Sequence, residues 1–470
     1  MKFKKNIIDN TFLSENDKKL YLCIYITKKN QTNFIMAKKH NHKTIIPLLT
    51  IIIIIVAVAA SVWRCSCSCT PEEEKKEERT VPHINDSISN LRSECEMSHE
   101  FDSIMERYLK RWEINGAQLA ISQGDSLIYT HGYGWADKER GVQMEPSMIM
   151  RIASVSKLVT AIGVMRLCEM GKLRLSEHVF GAQGVLNDTA YTNRIKDKRI
   201  FDITIEQLLR HRAGFNNYAG DPMFSTRYIM MQNHLTTPPD NTTLLKIVLK
   251  RRLGYTPGTS SCYSNFGYTL LSMIIARRSG MSYEQFIQKN VLQPAGCFDF
   301  HIAGNYYADR RQNETKYYMH QGSTPVYEYN NSGRQVEKCY GENDIPRLLG
   351  AGAWCASAAE LCRLIAAVDL HPGKPDILSK QSILAMTTEA VDHGFSLGWN
   401  FTPKNRPWTR TGTLSGTSAL VIRYPDNQCW VLLTNTSTWK GHAFSDDTKA
   451  LFEKLRKKFG GRMPKRDLFV

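Results

Sequence analysis

Met150-Arg151-Ile152-Ala153-Ser154-Val155-Ser156-Lys157 runs straight into Leu158-Val159-Thr160-Ala161-Ile162-Gly163-Val164-Met165, and this stretch decides both fold and chemistry. Leu158, Ala161, Ile162 and Met165 recur at the three-and-four spacing of a buried helix face, and Gly171 stands where a C-terminal cap belongs. The spacing predicts a helix that starts at about Ser154. A serine in that place has a free backbone N–H and lies in the positive end of the helix dipole. Lys157, three residues on, shares its face, so the amine reaches the Ser154 hydroxyl and can take or hold its proton. The same four-residue pattern recurs at Ser437-Thr438-Trp439-Lys440, but there a strand-like Val431-Leu432-Leu433-Thr434 precedes it and no helix follows.

Upstream, Phe101, Ile104, Met105, Tyr108 and Trp112 form one helical stripe that Gly116 ends. Two strands follow, Ala117 to Ser122 and Leu127 to Gly134, joined by the turn Gln123-Gly124-Asp125-Ser126. Downstream the chain becomes helical and rich in loops. Thr204-Ile205-Glu206-Gln207, Ser282-Tyr283-Glu284-Gln285 and Ser357-Ala358-Ala359-Glu360 each have the form of a capping box. Residues 301 to 345 are polar and aromatic with little periodicity, and read as long surface loops that wall a cleft. Strands return at Thr409 to Thr413, Ser418 to Tyr424 and Cys429 to Thr436, and an amphipathic helix from Ala443 to Phe459 closes the domain. Because strands come from both chain ends, the expected fold is α+β: a central antiparallel sheet flanked by helices, with a mostly helical insert at about residues 171 to 393.

Two further segments bear on Ser154. In Tyr255-Thr256-Pro257-Gly258-Thr259-Ser260-Ser261-Cys262-Tyr263-Ser264-Asn265 the Pro-Gly pair turns the chain just before an apolar helix that runs to Ser279 and is capped by Gly280. Tyr263 becomes a general base if neighbouring cations bring its pKa down from ~10, and Lys157 supplies one such charge. Asn265 is placed to hold the Lys157 ammonium and the carbonyl of a substrate amide. The triplet Tyr-x-Asn also occurs at Tyr191 and Tyr329, so the Pro-Gly lead and the helix distinguish this copy. In Thr409-Arg410-Thr411-Gly412-Thr413, Gly412 lets a ligand approach a strand closely, and the N–H groups of Thr413 and Ser154 make a two-donor oxyanion hole.

The rest of the chain bounds location and partners. The formal charge is +16, of which residues 1 to 43 supply +7 through ten lysines against Asp9, Glu15 and Asp17. No nucleic-acid motif accompanies this charge, so nucleic acid is not an expected partner. Thr44 to Val62 is free of charge and close to the ~20 residues that span a bilayer, with lysines before it and acids after it. It reads as a transmembrane anchor or a signal sequence that leaves everything after Val62 on the outer side. Met36-Ala37-Lys38-Lys39-His40 would make an ordinary basic leader, so translation is expected to start at Met36. Residues 63 to 98, with the charged run Pro71 to Arg79, are expected to be a flexible linker, 99 to 460 the folded domain, and 461 to 470 a basic tail. The twelve cysteines show no disulfide framework or zinc spacing. Cys65, Cys67 and Cys69 follow a poor match to a lipid-attachment site, while Cys168, Cys355, Cys362 and Cys429 fall on apolar faces as buried thiols.

Ser154-x-x-Lys157, Tyr263-x-Asn265 and a cation-Thr411-Gly412 triplet, in this order, resemble the three motifs of the serine β-lactamase and penicillin-binding-protein superfamily. The tyrosine in the second motif is similar to class C β-lactamase-related hydrolases, as are Gln207 to Phe215, Gly350-Ala351-Gly352-Ala353-Trp354 and Gly398-Trp399. The resemblance spans roughly residues 110 to 455. It implies a β-lactamase/transpeptidase-like fold, Ser154 as acyl nucleophile, Lys157 and Tyr263 as the base pair, Asn265 as orienter, and the Ser154 and Thr413 amides as oxyanion hole. It also implies a small-molecule or peptidoglycan-type substrate, such as a β-lactam or a D-amino-acid-containing peptide, with no metal or organic cofactor. Arg410 departs from the Lys or His usual there. Its fixed charge and forked donors suit a substrate carboxylate, so Arg410, Thr411 and Gly412 are the expected substrate-binding residues. The alternatives are a carboxylesterase of the same fold and a catalytically silent sensor, the latter suggested by Arg410 and the long N-terminal segment.

Overall fold

Alternation along the strands sorts the apolar side chains into two layers, one on each face of a single sheet. The computed structural model describes residues 83–218, 220–388 and 394–469. The basic segment, the start at Met36, the apolar run Thr44 to Val62 and the cysteines Cys23, Cys65, Cys67 and Cys69 lie outside these residues. Among the described residues no helix is long and apolar enough to cross a membrane. In chain order, α1 (Ser98–Arg111) leads to β1 (Gly116–Gln123), β2 (Ser126–Asp137) and the short β3 (Val142–Gln143). The middle of the chain carries β4 (Met150–Arg151), α2 (Ser156–Glu169), α3 (Ile205–Leu209), α4 (Asn265–Ser279) and α5 (Tyr283–Ile287). Then come β5 (His301–Ile302), β6 (Trp354–Ala356) and α6 (Ala358–Ala366). The chain returns to the sheet with β7 (Trp408–Leu414), β8 (Thr417–Arg423) and β9 (Gln428–Thr434), and ends on α7 (Phe444–Phe459).

The sheet has the order β3-β2-β1-β9-β8-β7 and is antiparallel throughout. The two chain ends meet at its centre, where β1 pairs β9 from Ala117↔Thr434 to Gln123↔Gln428. Leu119, Ile121, Leu420, Ile422, Trp430 and Leu432 face α1 and α7, against Phe101, Met105, Phe452 and Leu455. Their alternates Ala120, Ala419, Val421, Val431 and Leu433 face the larger core with α2 and α6. A one-residue slip would exchange the two faces and expose side chains worth about 2 kcal/mol each when buried, so the register is fixed. This is the expected α+β architecture.

Local capping places the helices that matter. Ser264 accepts the Gly267 N–H at the start of α4, and Gly280 closes it at φ +72°. The boxes at Thr204 and Ser282 form in full. The third is only half made: Ser357 caps the Glu360 N–H, but the Glu360 carboxylate turns inward to Phe298 N (2.7 Å) and Asp299 N (2.9 Å).

Three boundaries differ from expectation. Helix α2 begins at Ser156, because Ser154 sits in a 3-10 turn, Ala153–Val155, whose Ala153 has φ +48°. That conformation costs an alanine of order 1–3 kcal/mol and is held by the packed elements around it. The packed chain also begins earlier than residue 99: Ile84–Ser87 form a helical turn, with Ile84 and Ile88 buried in the larger core. At the other end the expected basic tail is not free. Leu468 and Phe469 are buried, Leu468 N donates to Leu127 O, and Asp467 accepts from Leu127 N.

A second small sheet, β4-β6-β5, anchors the strand that feeds Ser154. Arg151, on β4, is buried and donates to Cys339 O and Gly304 O while its guanidinium lies 4.2 Å from the Tyr317 ring centroid. Thus the loops of residues 301 to 345 are tied to the base of the nucleophile turn. The eight cysteines among the described residues are unpaired; Cys355, Cys362 and Cys429 are buried as expected, and Cys168 is partly exposed.

Candidate active site

Three segments far apart in sequence converge on Ser154: the start of α2, the entrance to α4, and β7. Lys157, one turn into α2, is fully buried, and its Nζ donates to Ser154 Oγ (3.2 Å), Asn265 Oδ1 (2.7 Å) and Ala351 O (2.5 Å). All three ammonium protons are therefore used, and the third acceptor belongs to the Gly350 to Trp354 segment. Burial pulls the Lys157 amine down to about 8, with Arg410 adding to the effect and Tyr263 opposing it.

Tyr263 Oη donates to Ser154 Oγ at 2.7 Å and accepts from Arg410 Nη2 at 3.1 Å. Burial alone would raise the phenol, but Lys157 and Arg410 outweigh it and bring Tyr263 to about 8. The Lys157 ammonium also lies 4.8 Å from the Tyr263 ring centroid. Two buried cations, Lys157 and Arg410, face the one carboxylate of Asp221 through this network. The unmatched positive charge favours loss of a proton from the Tyr263–Lys157 pair, since buried charge is tolerated where it is paired.

Arg410 is committed inward. It is 1% exposed, and its Nε donates to the carbonyl of Ser154 itself at 2.8 Å while Nη2 holds Tyr263. Two of its three nitrogens are thus engaged and its charge acts on the tyrosine, while the buried Nη1 has no hydrogen-bond partner and is the nitrogen left for the substrate carboxylate expected of Arg410. Asn265 is likewise half as available as expected. Its Oδ1 takes Lys157, but its Nδ2 and backbone N–H both donate to Asp221 Oδ2, at 2.9 and 3.2 Å. The amide orientation is set by that carboxylate, which takes one of the two Nδ2 protons and leaves the other for a substrate carbonyl.

β7 is the edge strand beside the nucleophile turn. A Cβ on Gly412 would lie 2.4 Å from Ile152 O and 3.1 Å from Ser154 N, so only glycine allows this approach. Thr409 N donates to Phe401 O and Thr411 N to Asn400 Oδ1, both on the side away from β8. With a period of two, the Thr413 N–H falls on the same open edge, next to the Ser154 turn. Thr411 Oγ1 accepts from Asn400 Nδ2 at 3.2 Å.

Asp221, His211 and Asn400 are the residues missed as members of the site. His211 is buried with its ring 4.4 Å from that of Tyr263, and its Nδ1 accepts the Ser264 N–H at 3.1 Å. Burial, then Lys157 and Arg410, hold its pKa well below the usual value, so it is a neutral imidazole that backs the tyrosine. It stands in the quoted stretch Gln207 to Phe215, and its position before Gly214 was the available signal. Asp221 gave a weaker one, as an Asp-Pro turn without an apolar helix behind it.

A family model described as beta-lactamase matches residues 101–453 of the chain. The chain is similar to penicillin-binding protein 4* of Bacillus subtilis (strain 168), 26% identical over 345 residues that cover 69% of this chain and 69% of that protein. Among solved structures, the D-amino acid amidase from Ochrobactrum anthropi SV3 complexed with L-phenylalanine superposes with a TM-score of 0.59 at 18% identity, covering 77% of this chain and 99% of that one. EstCE1, a hydrolase with promiscuous acyltransferase activity, gives 0.55 at 18% identity over 73% and 94%. At these identities the two structural likenesses concern the fold.

Proposed function

Since this chain belongs to the beta-lactamase family, we propose that it is a serine hydrolase that forms an acyl-enzyme at Ser154. The observation that carries the reading is the 2.7 Å contact between Ser154 Oγ and a Tyr263 hydroxyl that two buried cations bring to about 8. Ser154 Oγ attacks the carbonyl carbon of an amide or ester and its proton passes to the deprotonated Tyr263–Lys157 pair. The carbonyl oxygen becomes an oxyanion held by the N–H groups of Ser154 and Thr413. Collapse expels the amine or alcohol, which takes the proton back from Tyr263, and leaves an ester on Ser154. Water then attacks that ester by the same steps in reverse, with Tyr263 accepting its proton. Lys157 keeps Ser154 Oγ and Asn265 in place throughout, and Arg410 stabilises the phenolate.

The similarity to a penicillin-binding protein supports a β-lactam or a D-amino-acid-containing peptide as acyl donor. The apolar run Thr44 to Val62 supports an outward-facing, membrane-tethered or secreted domain. The test is intact-mass spectrometry of the protein and of Ser154→Ala after mixing with a penicillin and, separately, an activated ester. An adduct on the parent that Ser154→Ala lacks is expected, decaying in seconds for a β-lactamase or esterase and persisting for a penicillin-binding peptidase or sensor. A folded parent that forms no adduct with either probe refutes the acyl-enzyme.

A further inference from the structure

The small sheet β4-β6-β5 buries a second group of reactive side chains, which the Ser154 site does not use. His301 on β5 and Cys355 on β6 are register partners, and Glu314 is bridged to Ile149, the residue before β4. All three are buried, and one ligand atom from each, a nitrogen, an oxygen and a sulfur, lies within 4.8 Å of the other two. His301 Nε2 is 3.3 Å from Glu314 Oε2, and Cys355 Sγ is 3.5 Å from Glu314 Oε1. Glu314 stands 13 positions after His301 and 41 before Cys355, so no short zinc spacing marks the set in the sequence.

The tautomer of His301 is fixed from outside the group. Its Nδ1 lies 3.3 Å from Asp299 O, and a carbonyl only accepts, so Nδ1 carries the proton. Nε2 then turns its lone pair towards a carboxylate, and a cation must stand between the two, either a proton or a metal ion. The sulfur favours the metal. A proton shared by Nε2 and Oε2 needs no thiol beside it, whereas zinc bonds of ~2.0–2.3 Å hold tetrahedral ligands about 3.3–3.8 Å apart, and Glu314 already has these separations from both partners. A mixed nitrogen, oxygen and sulfur set also suits zinc. Each of the two harder ligands has the outer contacts of a metal site: Asp299 O at His301, and the donors Tyr317 Oη (2.6 Å) and Arg311 N (3.2 Å) on the Glu314 carboxylate. A dication bound by one carboxylate and one thiolate is neutral, as deep burial favours.

We propose that His301 Nε2, the Glu314 carboxylate and Cys355 Sγ bind one structural zinc ion. Tyr317 Oη, 3.6 Å from Sγ, has a lone pair for the fourth position. Binding releases the thiol proton to solvent and keeps His301 neutral. Arg151 N donates to Tyr317 Oη at 2.9 Å, so the ion clamps the loops of residues 301 to 345 to the strand that enters the nucleophile turn. The assignment does not depend on the serine hydrolase reading.

The test uses the full chain carrying Cys65→Ser/Cys67→Ser/Cys69→Ser, so that those thiols supply no competing site. Produced in cobalt-supplemented minimal medium, it should hold about one cobalt per chain and show the near-ultraviolet charge-transfer band of a thiolate–cobalt bond. Cys355→Ser should abolish the band, and His301→Gln should cut the metal content at least tenfold, with circular dichroism establishing that each is folded. A chelator should lower the melting temperature of the zinc-loaded protein by a few degrees and leave that of Cys355→Ser unchanged. X-ray absorption of the zinc-loaded protein needs no variant at the site and stands where Cys355→Ser does not fold; it should show one sulfur at ~2.3 Å and lighter ligands at ~2.0–2.2 Å. Folded protein that takes up no metal, or metal held without a sulfur ligand, overturns the proposal and leaves a proton between His301 and Glu314. A charge-transfer band that survives Cys355→Ser means an adventitious ion only and overturns it equally.

Discussion

Replacing Arg410 by glutamine removes a charge that lies within hydrogen-bond reach of the proton-transfer pair. Its Nη2 is 3.1 Å from Tyr263 Oη, and it lowers both Tyr263 and Lys157, each of which stands at about 8. At an effective dielectric of ~20, a unit charge ~4 Å from a phenolate is worth about 4 kcal/mol. At 1.36 kcal/mol per unit this corresponds to about 3 pKa units, which water entering the vacated space will reduce, so a rise of one unit or more is expected. The sign does not depend on which of the two groups gives up the proton, because loss of Arg410 raises both. In the parent, kcat/KM for an activated ester should climb as pH rises through about 8 and level off above it. In Arg410→Gln the climb should move to pH about 9 or higher and the rate at pH 7 should fall at least tenfold. Arg410→Lys retains the charge and should shift the limb less. The assay is kcat/KM between pH 6 and pH 10 for the three proteins, with circular dichroism to establish that each is folded. A folded Arg410→Gln whose limb stays where the parent's lies would refute the role assigned to this charge.

Asp221→Ala frees the Asn265 amide and leaves a buried Nδ2 without its acceptor, a penalty of about 1–3 kcal/mol; kcat should fall about tenfold or more with KM little changed, and Asp221→Asn should recover part of it. Gly412→Ala places a Cβ 2.4 Å from Ile152 O, so β7 must withdraw from the nucleophile turn, and acylation measured by single-turnover mass spectrometry should slow by about a hundredfold or more while the melting temperature drops only slightly. Burial raises Glu360 to about 7, above its value in the unfolded chain, so its protonated form stabilises the fold fully below pH ~4.5 and that contribution is lost as pH rises through about 7. The loss amounts to about 3 kcal/mol. Glu360→Gln should flatten the dependence of the melting temperature between pH 4.5 and pH 8, and an unchanged slope would show that the buried carboxyl is not its source.

What was legible in the sequence was whatever a short periodicity or a fixed spacing encodes. The stripe on α1, the alternation in β1, β8 and β9, and the caps at Thr204 and Ser282 are local signals, and each element formed where its residues indicated. Ser154, Lys157, Tyr263 and Asn265 were found because two helix entrances marked them, and the structure brings all four within hydrogen-bond distance. The roles of Arg410 and Asp221 were not legible. Whether an arginine faces outward to a ligand or inward to a tyrosine depends on packing across 256 positions of chain, from Arg410 to Ser154, which no local pattern records. The start of α2 was placed two residues early because the apolar spacing from Leu158 onward does not register the 3-10 turn Ala153–Val155, which tertiary contacts hold with Ala153 at φ +48°. The folded start at Ile84 was obscured by the polar residues around two isolated isoleucines.

Pairing of β1 with β9 has a consequence for how the protein is made. Asn115, at the entry to β1, is bonded to Thr436, 321 positions later. A ribosome therefore releases the first half of the sheet long before the residues that complete it exist, and the exposed edge of β1 has no native partner until synthesis is almost over. Loop closure over such a distance is slow, so the emerging chain stays open and must be kept from pairing with other strands.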